Sequence, residues 1–275
     1  MGKQPSPFCK WAGGKGQLLD RIRERCPASY GDYYEPFVGA GAVLFGLVPR
    51  HAHVNDINAQ LMNAYFAIRD DCEQVIACLD ALDGSFGNDA KSYYYSIRDR
   101  YNEGLIRDSA GPEMAALFIF LNKHCFNGLY RVNSKGLFNV PYNNSVRSSY
   151  SRENLMAVSE YLGTVEIACG DFAFAVEGAG KHDFVFFDSP YAPLNETSFE
   201  AYTKEGFAQA EHERLAALFR ELDERGCYCM LTNHDTELIR NLYDGFHVET
   251  VAVKRMINSD ARKRTGEEVI VRNYV

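Results

Sequence analysis

Asp188-Ser189-Pro190-Tyr191 puts a carboxylate, a restrained turn and an aromatic ring in four consecutive residues. The apolar run before it, Phe184-Val185-Phe186-Phe187, reads as a buried strand of a parallel sheet. Open α/β sheets bind ligands at the carboxyl ends of their strands. At such a position the Asp188 carboxylate and the Ser189 carbonyl can accept the two hydrogens of an exocyclic amine. The Tyr191 ring can stack on the base that carries it. Taken alone, the same residues also suit a plain strand-to-loop turn, for which Asp, Ser and Pro are ordinary choices.

A second group tilts the balance. Pro36-Phe37-Val38-Gly39-Ala40-Gly41 follows a strand reading over 33–38 and opens a helix over 42–48. Glycines there let the backbone approach a ligand closely, with a helix N-terminus facing it. The dinucleotide-binding fingerprint needs a third glycine where Leu44 stands, which argues against a nicotinamide-dependent oxidoreductase. Asp56 ends the next strand, 51–56, where it can accept from both hydroxyls of a ribose. The segment Phe8 to Lys15 carries the only Trp of the chain, Trp11, between Lys10 and Lys15 and beside Gly13-Gly14.

The elements that must position these residues are legible from periodicity. A helix over 16–26, the 33–38 strand, the 42–48 helix and the 51–56 strand make a βαβ opening. Helical stripes dominate from Ala59 to about His124 and read as packing core. Residues 126–150 are rich in Asn, Ser, Gly, Tyr and basic side chains and read as a long loop or hairpin, a natural place for binding. Alternation resumes with a helix over 154–162, a strand over 164–168 and Gly170-Asp171-Phe172. The 184–187 strand, a 207–225 helix, a 227–232 strand and two closing antiparallel strands, 247–255 and 268–274, follow. The expected organisation is an α/β domain, residues 1–58 and 153–275, interrupted by a mostly helical insertion, 59–152.

Composition narrows the class. A hydrophobic content of 46% with 24% charged residues fits a globular protein, and no apolar run is long enough to span a bilayer. The eight cysteines include no Cys-x-x-Cys pair, so neither a zinc site nor a disulfide framework is expected. Residues 1–15 lack the apolar segment of a secretory signal, and a cytoplasmic protein with reduced thiols is expected. A net charge of −8 argues against indiscriminate nucleic-acid binding but permits a local basic surface. Between Met114 and Arg152 there are Lys123, Arg131, Lys135, Arg147 and Arg152 and no Asp or Glu. Two further basic groups are Lys254, Arg255, Arg262, Lys263 and Arg264, and Lys3, Lys10 and Lys15.

Three separated blocks in this order resemble the Dam-type DNA adenine-N6 methyltransferases: Lys10-Trp11-Ala12-Gly13-Gly14-Lys15, the Pro36–Gly41 loop and Asp188-Ser189-Pro190-Tyr191. Between them, Phe126-Asn127-Gly128-Leu129-Tyr130-Arg131 with Phe138-Asn139-Val140-Pro141-Tyr142 resembles that family's target-recognition hairpin, and Thr232-Asn233-His234-Asp235 also matches. The resemblance runs over essentially the whole chain. It implies a Rossmann-like methyltransferase sheet, S-adenosylmethionine as donor and adenine in double-stranded DNA, commonly within GATC, as acceptor. It places Trp11, Ala12, Gly13, Lys15, Phe37, Gly39, Gly41, Asp56, Asp171, Phe172 and Asp188 around the donor. It assigns Asp188, Ser189, Pro190 and Tyr191 to catalysis, and Lys10, Asn127, Leu129, Arg131, Asn139 and Pro141 to DNA. Arg131 matches the position that reads a guanine, through an Arg fork on O6 and N7. No metal or membrane is implied, and a monomer is expected.

The one departure is Ser189, where the family motif usually has a first proline; the backbone carbonyl asked of that residue is kept. Relatives that act on the N4 amine of cytosine more often carry Ser in place of the Asp, so Asp188 points to adenine. Methylation of cytosine N4 or of adenine in RNA, and a DNA-binding protein without activity, remain the rivals. Both a solitary enzyme and one that protects DNA beside a restriction nuclease fit the resemblance.

Overall fold

A computed structural model of the chain describes residues 3–87, 89–194, 207–254 and 265–275. Among them are seven strands in a mostly parallel sheet and eight α-helices, the expected Rossmann-like α/β class. Most of the second basic group, from Arg255 to Arg264, lies outside the described residues. No helix among the described residues is long and apolar enough to cross a membrane.

The chain divides into two compact units. The first comprises Met1–Gly14, Val38–Val48 and Asp56–Gly170. Its helices are α2 (Ala42–Leu47), α3 (Ala59–Ser85), α4 (Ala90–Ile106), α5 (Pro112–His124) and α6 (Arg152–Leu162). Asn58, Asp89 and Ser151 cap α3, α4 and α6, each accepting a backbone N–H three residues on. Gly111 and Pro112 start α5. Every residue of α5 from Met114 to Asn122 is buried, so this helix is the centre of the unit rather than one of its faces. Beyond α5 the chain runs out and back as the expected hairpin. It is joined by single bridges at Cys125–Tyr142 and Val132–Phe138 rather than by regular strands. Strand β3 (Val165–Cys169) follows α6, and the Gly170 N–H just after it donates to the Asp56 carbonyl.

The second unit comprises Lys15–Phe37, Pro49–Asn55 and Asp171–Val275. It holds helix α1 (Leu19–Arg25) and strand β1 (Tyr33–Glu35). Strand β2 (Ala52–Asp56) belongs to it except for its last residue. Then come β4 (Phe184–Phe187), α7 (Gln209–Glu224), β5 (Tyr228–His234), α8 (Glu237–Leu242), β6 (His247–Lys254) and β7 (Thr265–Arg272). The strands are ordered β2-β1-β4-β5-β7-β6, parallel from β2 to β5 and antiparallel at β7 and β6. All four residues of β4 are fully buried, which is why that strand reads as an unbroken apolar run. Leu215, Ala216, Phe219 and Leu222 of α7 pack into the same core as Val185, Phe187 and Leu231.

Several boundaries differ from the sequence expectation; β7, expected over 268–274, runs Thr265–Arg272. β1 stops at Glu35, because Pro36 has no N–H to donate to the ladder. β5 continues past Thr232 through Asn233 to His234, because β7 pairs with it as far as Glu268. Helix α8, capped by Thr236, had no strong periodicity of its own.

Candidate active site

In the second unit, β4 delivers Asp188 directly from its carboxyl end. Asp188 Oδ1 receives the Lys15 ammonium at 2.6 Å and the Thr232 hydroxyl at 3.0 Å. Among the described residues no donor reaches Oδ2. Lys15 starts a 3₁₀ turn, Lys15–Gln17, and is only 5% exposed. Burial raises the Asp188 carboxyl above its ordinary range; Lys15 and Thr232 pull it back down, and Glu268 pushes it up. Ser189 is buried and its hydroxyl has no partner among the described residues; Pro190 is exposed. The Tyr191 hydroxyl donates to Glu268 at 2.9 Å, and the Lys15 ammonium lies 4.6 Å from the ring centroid. The backbone that follows is tied to β5: Ala192 N–H donates to Asn233, and His234 Nδ1 lies 2.8 Å from the Ala192 carbonyl.

The same unit holds a second cluster. Phe37, Phe172 and Phe207 form an aromatic group with ring centroids 5.2–5.8 Å apart. Asp171 accepts the Ala173 N–H and pairs with Arg214, whose guanidinium also covers the Phe172 ring at 4.1 Å. Burial raises the Asp171 carboxyl, but the Arg214 and Ala173 donors outweigh it and hold it below its ordinary value.

In the first unit, Trp11, Gly39 and Asp56 are brought together. Ala12 and Gly13 lie in a turn closed by Gly14 N–H on the Trp11 carbonyl. The Trp11 ring stacks on Tyr130 at 5.7 Å. A Cβ on Gly39, whose φ is +51°, would sit 2.9 Å from Trp11 Cδ1. Gly41, with φ of +73°, opens α2. Gly39 N–H donates to Asp56 Oδ2 at 3.1 Å and Asn58 N–H to Oδ1 at 2.9 Å. Burial raises this carboxyl, and those backbone donors pull against it. The carboxylate lies beside a glycine cradle that admits no side chain.

The recognition hairpin lies in the first unit as well. Asn122 ties Lys10 to it: its side chain accepts Lys10 N–H and donates to the Lys10 and Gly128 carbonyls. The Lys10 stem fills the space a Gly128 side chain would need. Asn127, exposed, adopts a positive φ of 56°. Leu129 N–H closes that turn on Phe126, and Pro141 accepts the Phe126 N–H. Arg131 is exposed, with Nε donating to Asn139 Oδ1 at 2.7 Å and Nη2 reaching the Asn139 carbonyl at 3.5 Å. Asn139 therefore holds the guanidinium by its Nε and Nη2.

Comparison with known proteins says what these clusters belong to. Residues 11–257 match the family described as D12 class N6 adenine-specific DNA methyltransferase. The chain belongs to that family. It is therefore a site-specific, adenine-specific DNA methyltransferase, which removes cytosine N4 and the inactive binding protein as readings. Its relatives include the Type II methyltransferase M.MjaIII of Methanocaldococcus jannaschii, 42% identical over 98% of this chain and 99% of that protein. The Type II methyltransferase M1.LlaDCHI of Lactococcus lactis is 40% identical over 98% and 95%. The DNA adenine methylase of Escherichia coli K12 is 32% identical over 96% and 94%. Several residues that organise this methyltransferase's clusters carried no sequence signal: Asn122, Arg214 and Glu268. Thr232 was visible only as part of a family block; its contact with Asp188 depends on β4 and β5 being neighbours.

Proposed function

We propose that this enzyme transfers the methyl group of S-adenosylmethionine to N6 of adenine in double-stranded DNA, within GATC. The observation that carries the reading is the asymmetry at Asp188, with two donors on Oδ1 and Oδ2 left for an incoming amine. A stacked adenine cannot bring N6 to such a group, so the base must leave the duplex. Asp188 Oδ2 then accepts one N6 hydrogen and the Ser189 carbonyl the other, which concentrates lone-pair density on nitrogen. The Tyr191 ring is the platform for the base. Lys15 and Thr232 act against burial, which raises the Asp188 carboxyl, and so favour the ionised form that can accept. S-adenosylmethionine, when bound, supplies a methyl group on a sulfonium and needs only an aligned nucleophile. Asp56 would hold its ribose, Trp11, Phe37 and Phe172 would pack against it, and Asp171 would meet its adenine. The protein's own contribution is orientation and electrostatics.

On this reading residues 1–58 and 153–275 form the catalytic domain, and 59–152 is the insertion that reads DNA. Arg131, held by Asn139, reads a guanine; Lys10, Asn127, Leu129 and Pro141 complete the reading surface. A cytoplasmic monomer is sufficient for this. The names of the two Type II relatives support a modification role beside a restriction nuclease. The test is to incubate the protein with labelled S-adenosylmethionine and duplexes with or without one GATC, then identify the modified nucleoside by mass spectrometry. N6-methyladenine confined to the GATC duplex is expected. Equal labelling of both duplexes overturns the sequence assignment, and an Asp188→Ala variant with a normal rate overturns the mechanism.

A further inference from the structure

Tyr191 is held by more than its loop. In the antiparallel pairing of β5 and β7, His234 lies directly opposite Glu268. Residues opposite one another in such a pair project from the same face of the sheet. Both meet Tyr191. The Glu268 carboxylate accepts the phenolic O–H at 2.9 Å, and the His234 ring meets the Tyr191 ring edge-on, with centroids 4.8 Å apart and planes at 75°. The Ala192 backbone is fastened to Asn233 and His234, which fixes where the Tyr191 Cα stands. What remains is the swing of the ring about its Cα–Cβ bond, which the His234 edge contact and the Glu268 bond at its far end both limit. Burial, with Asp188 and Glu268 nearby, pushes the phenol well above its ordinary range, so it keeps its proton and stays a donor.

Stacking needs no hydroxyl; a phenylalanine would stack as well. A hydroxyl earns a place on a stacking ring when something must grip it. We propose that Glu268 is a positioning residue: through the phenolic hydroxyl it pins the far end of the Tyr191 ring, and with it the place at which the target base is presented. The inference rests on Tyr191 being the base platform. It adds that the platform is set by a residue of a different strand, more than seventy positions further along the chain. It also gives β7 a task in the reaction, since the strand brings a carboxylate to the end of β5.

The test uses the full-length enzyme and three variants, Glu268→Ala, Glu268→Gln and Tyr191→Phe. Gln keeps an acceptor oxygen, so Glu268→Gln should retain a rate within about threefold of the parent. Glu268→Ala and Tyr191→Phe should each lower single-turnover kcat by about 10- to 100-fold, the scale of a small misplacement of reacting groups. Dissociation constants for S-adenosylmethionine and for a duplex should stay unchanged. The double variant Tyr191→Phe/Glu268→Ala should be no slower than either single one, because both remove the same bond. A duplex with 2-aminopurine at the target position should show altered fluorescence with Glu268→Ala and parental fluorescence with Glu268→Gln. Normal kcat in both Glu268→Ala and Tyr191→Phe, or losses that multiply in the double variant, overturns the proposal. Tyr191→Ala separates the underlying reading. If it is inactive while Tyr191→Phe and Glu268→Ala are normal, the platform stands and the pinning role falls. If Tyr191→Ala is itself normal, the platform reading fails, and the pinning role with it.

Discussion

At Ser189 the chain departs from the two prolines expected in the catalytic motif, and the side chain itself does nothing visible. It is 2% exposed and its hydroxyl has no partner among the described residues. A buried hydroxyl without a bond costs about 1–3 kcal/mol. Ser189→Ala should therefore leave stability unchanged or raise it by about 1 kcal/mol in urea denaturation. It should also leave the single-turnover rate within about threefold, since the backbone carbonyl is untouched. A rate loss of tenfold or more would place the hydroxyl in the chemistry. Lys15 is the opposite case, a side chain with much to do. Burial raises the Asp188 carboxyl and Lys15 lowers it. The acceptor role requires the ionised form, so activity falls as pH drops through this group's titration. Lys15→Met removes the lowering influence, and the acid limb of kcat, measured at saturating S-adenosylmethionine, should move to higher pH. An unmoved limb would mean that the limb belongs to another group.

The glycine loop before α2 shows what an element demands of its residues. Gly41 takes φ of +73°, and a Cβ there would lie 2.7 Å from both Phe45 Cε2 and the Tyr65 hydroxyl. That hydroxyl donates to the Gly39 carbonyl, so the clash would reach the loop that also carries the Asp56 contact. Gly41→Ala should cost about 2 kcal/mol or more, from left-handed backbone and displaced aromatics together. It should also weaken S-adenosylmethionine binding in calorimetry; unchanged affinity would detach this loop from the donor. Elements of this kind were legible in the sequence because local chemistry writes them. The β4 run is apolar because both its faces are covered, and the loop is glycine-rich because its backbone cannot carry a Cβ. Other features had no local cause. β5 reaches His234 only because β7 pairs with it, and Glu268 meets Tyr191 only through that register. Arg214 lies on a helix face whose charges look like any solvated surface, yet it pairs with Asp171. Periodicity records what a segment buries, not which distant segment it meets.

Across the whole molecule, the chain passes between its two compact units at Gly14/Lys15, Phe37/Val38, Val48/Pro49, Asn55/Asp56 and Gly170/Asp171. Four of these five passages fall inside the motifs read as donor-binding, so those motifs are also where the covalent chain joins the units. Each unit carries a buried neutral histidine. His124, in the first, has Nε2 3.0 Å from the Ser149 hydroxyl, and burial pushes its pKa down to about 4. His212, in the second, has Nε2 buried without a partner among the described residues and is likewise pushed down to about 4 by burial. An unfolded histidine titrates near 6.5. Between those values the unfolded chain binds protons that the folded chain refuses, so stability must fall as pH drops through this window. Below about 4 both states are protonated and these two groups add no further loss. The expected decrease from pH 7 to 5 is on the order of 1 kcal/mol per histidine, read from urea midpoints at constant m-value. His212→Leu, which replaces the orphaned nitrogen with apolar volume beside Phe207, should flatten the pH dependence by about half. Retention of the full slope in that variant would assign it to carboxylates instead.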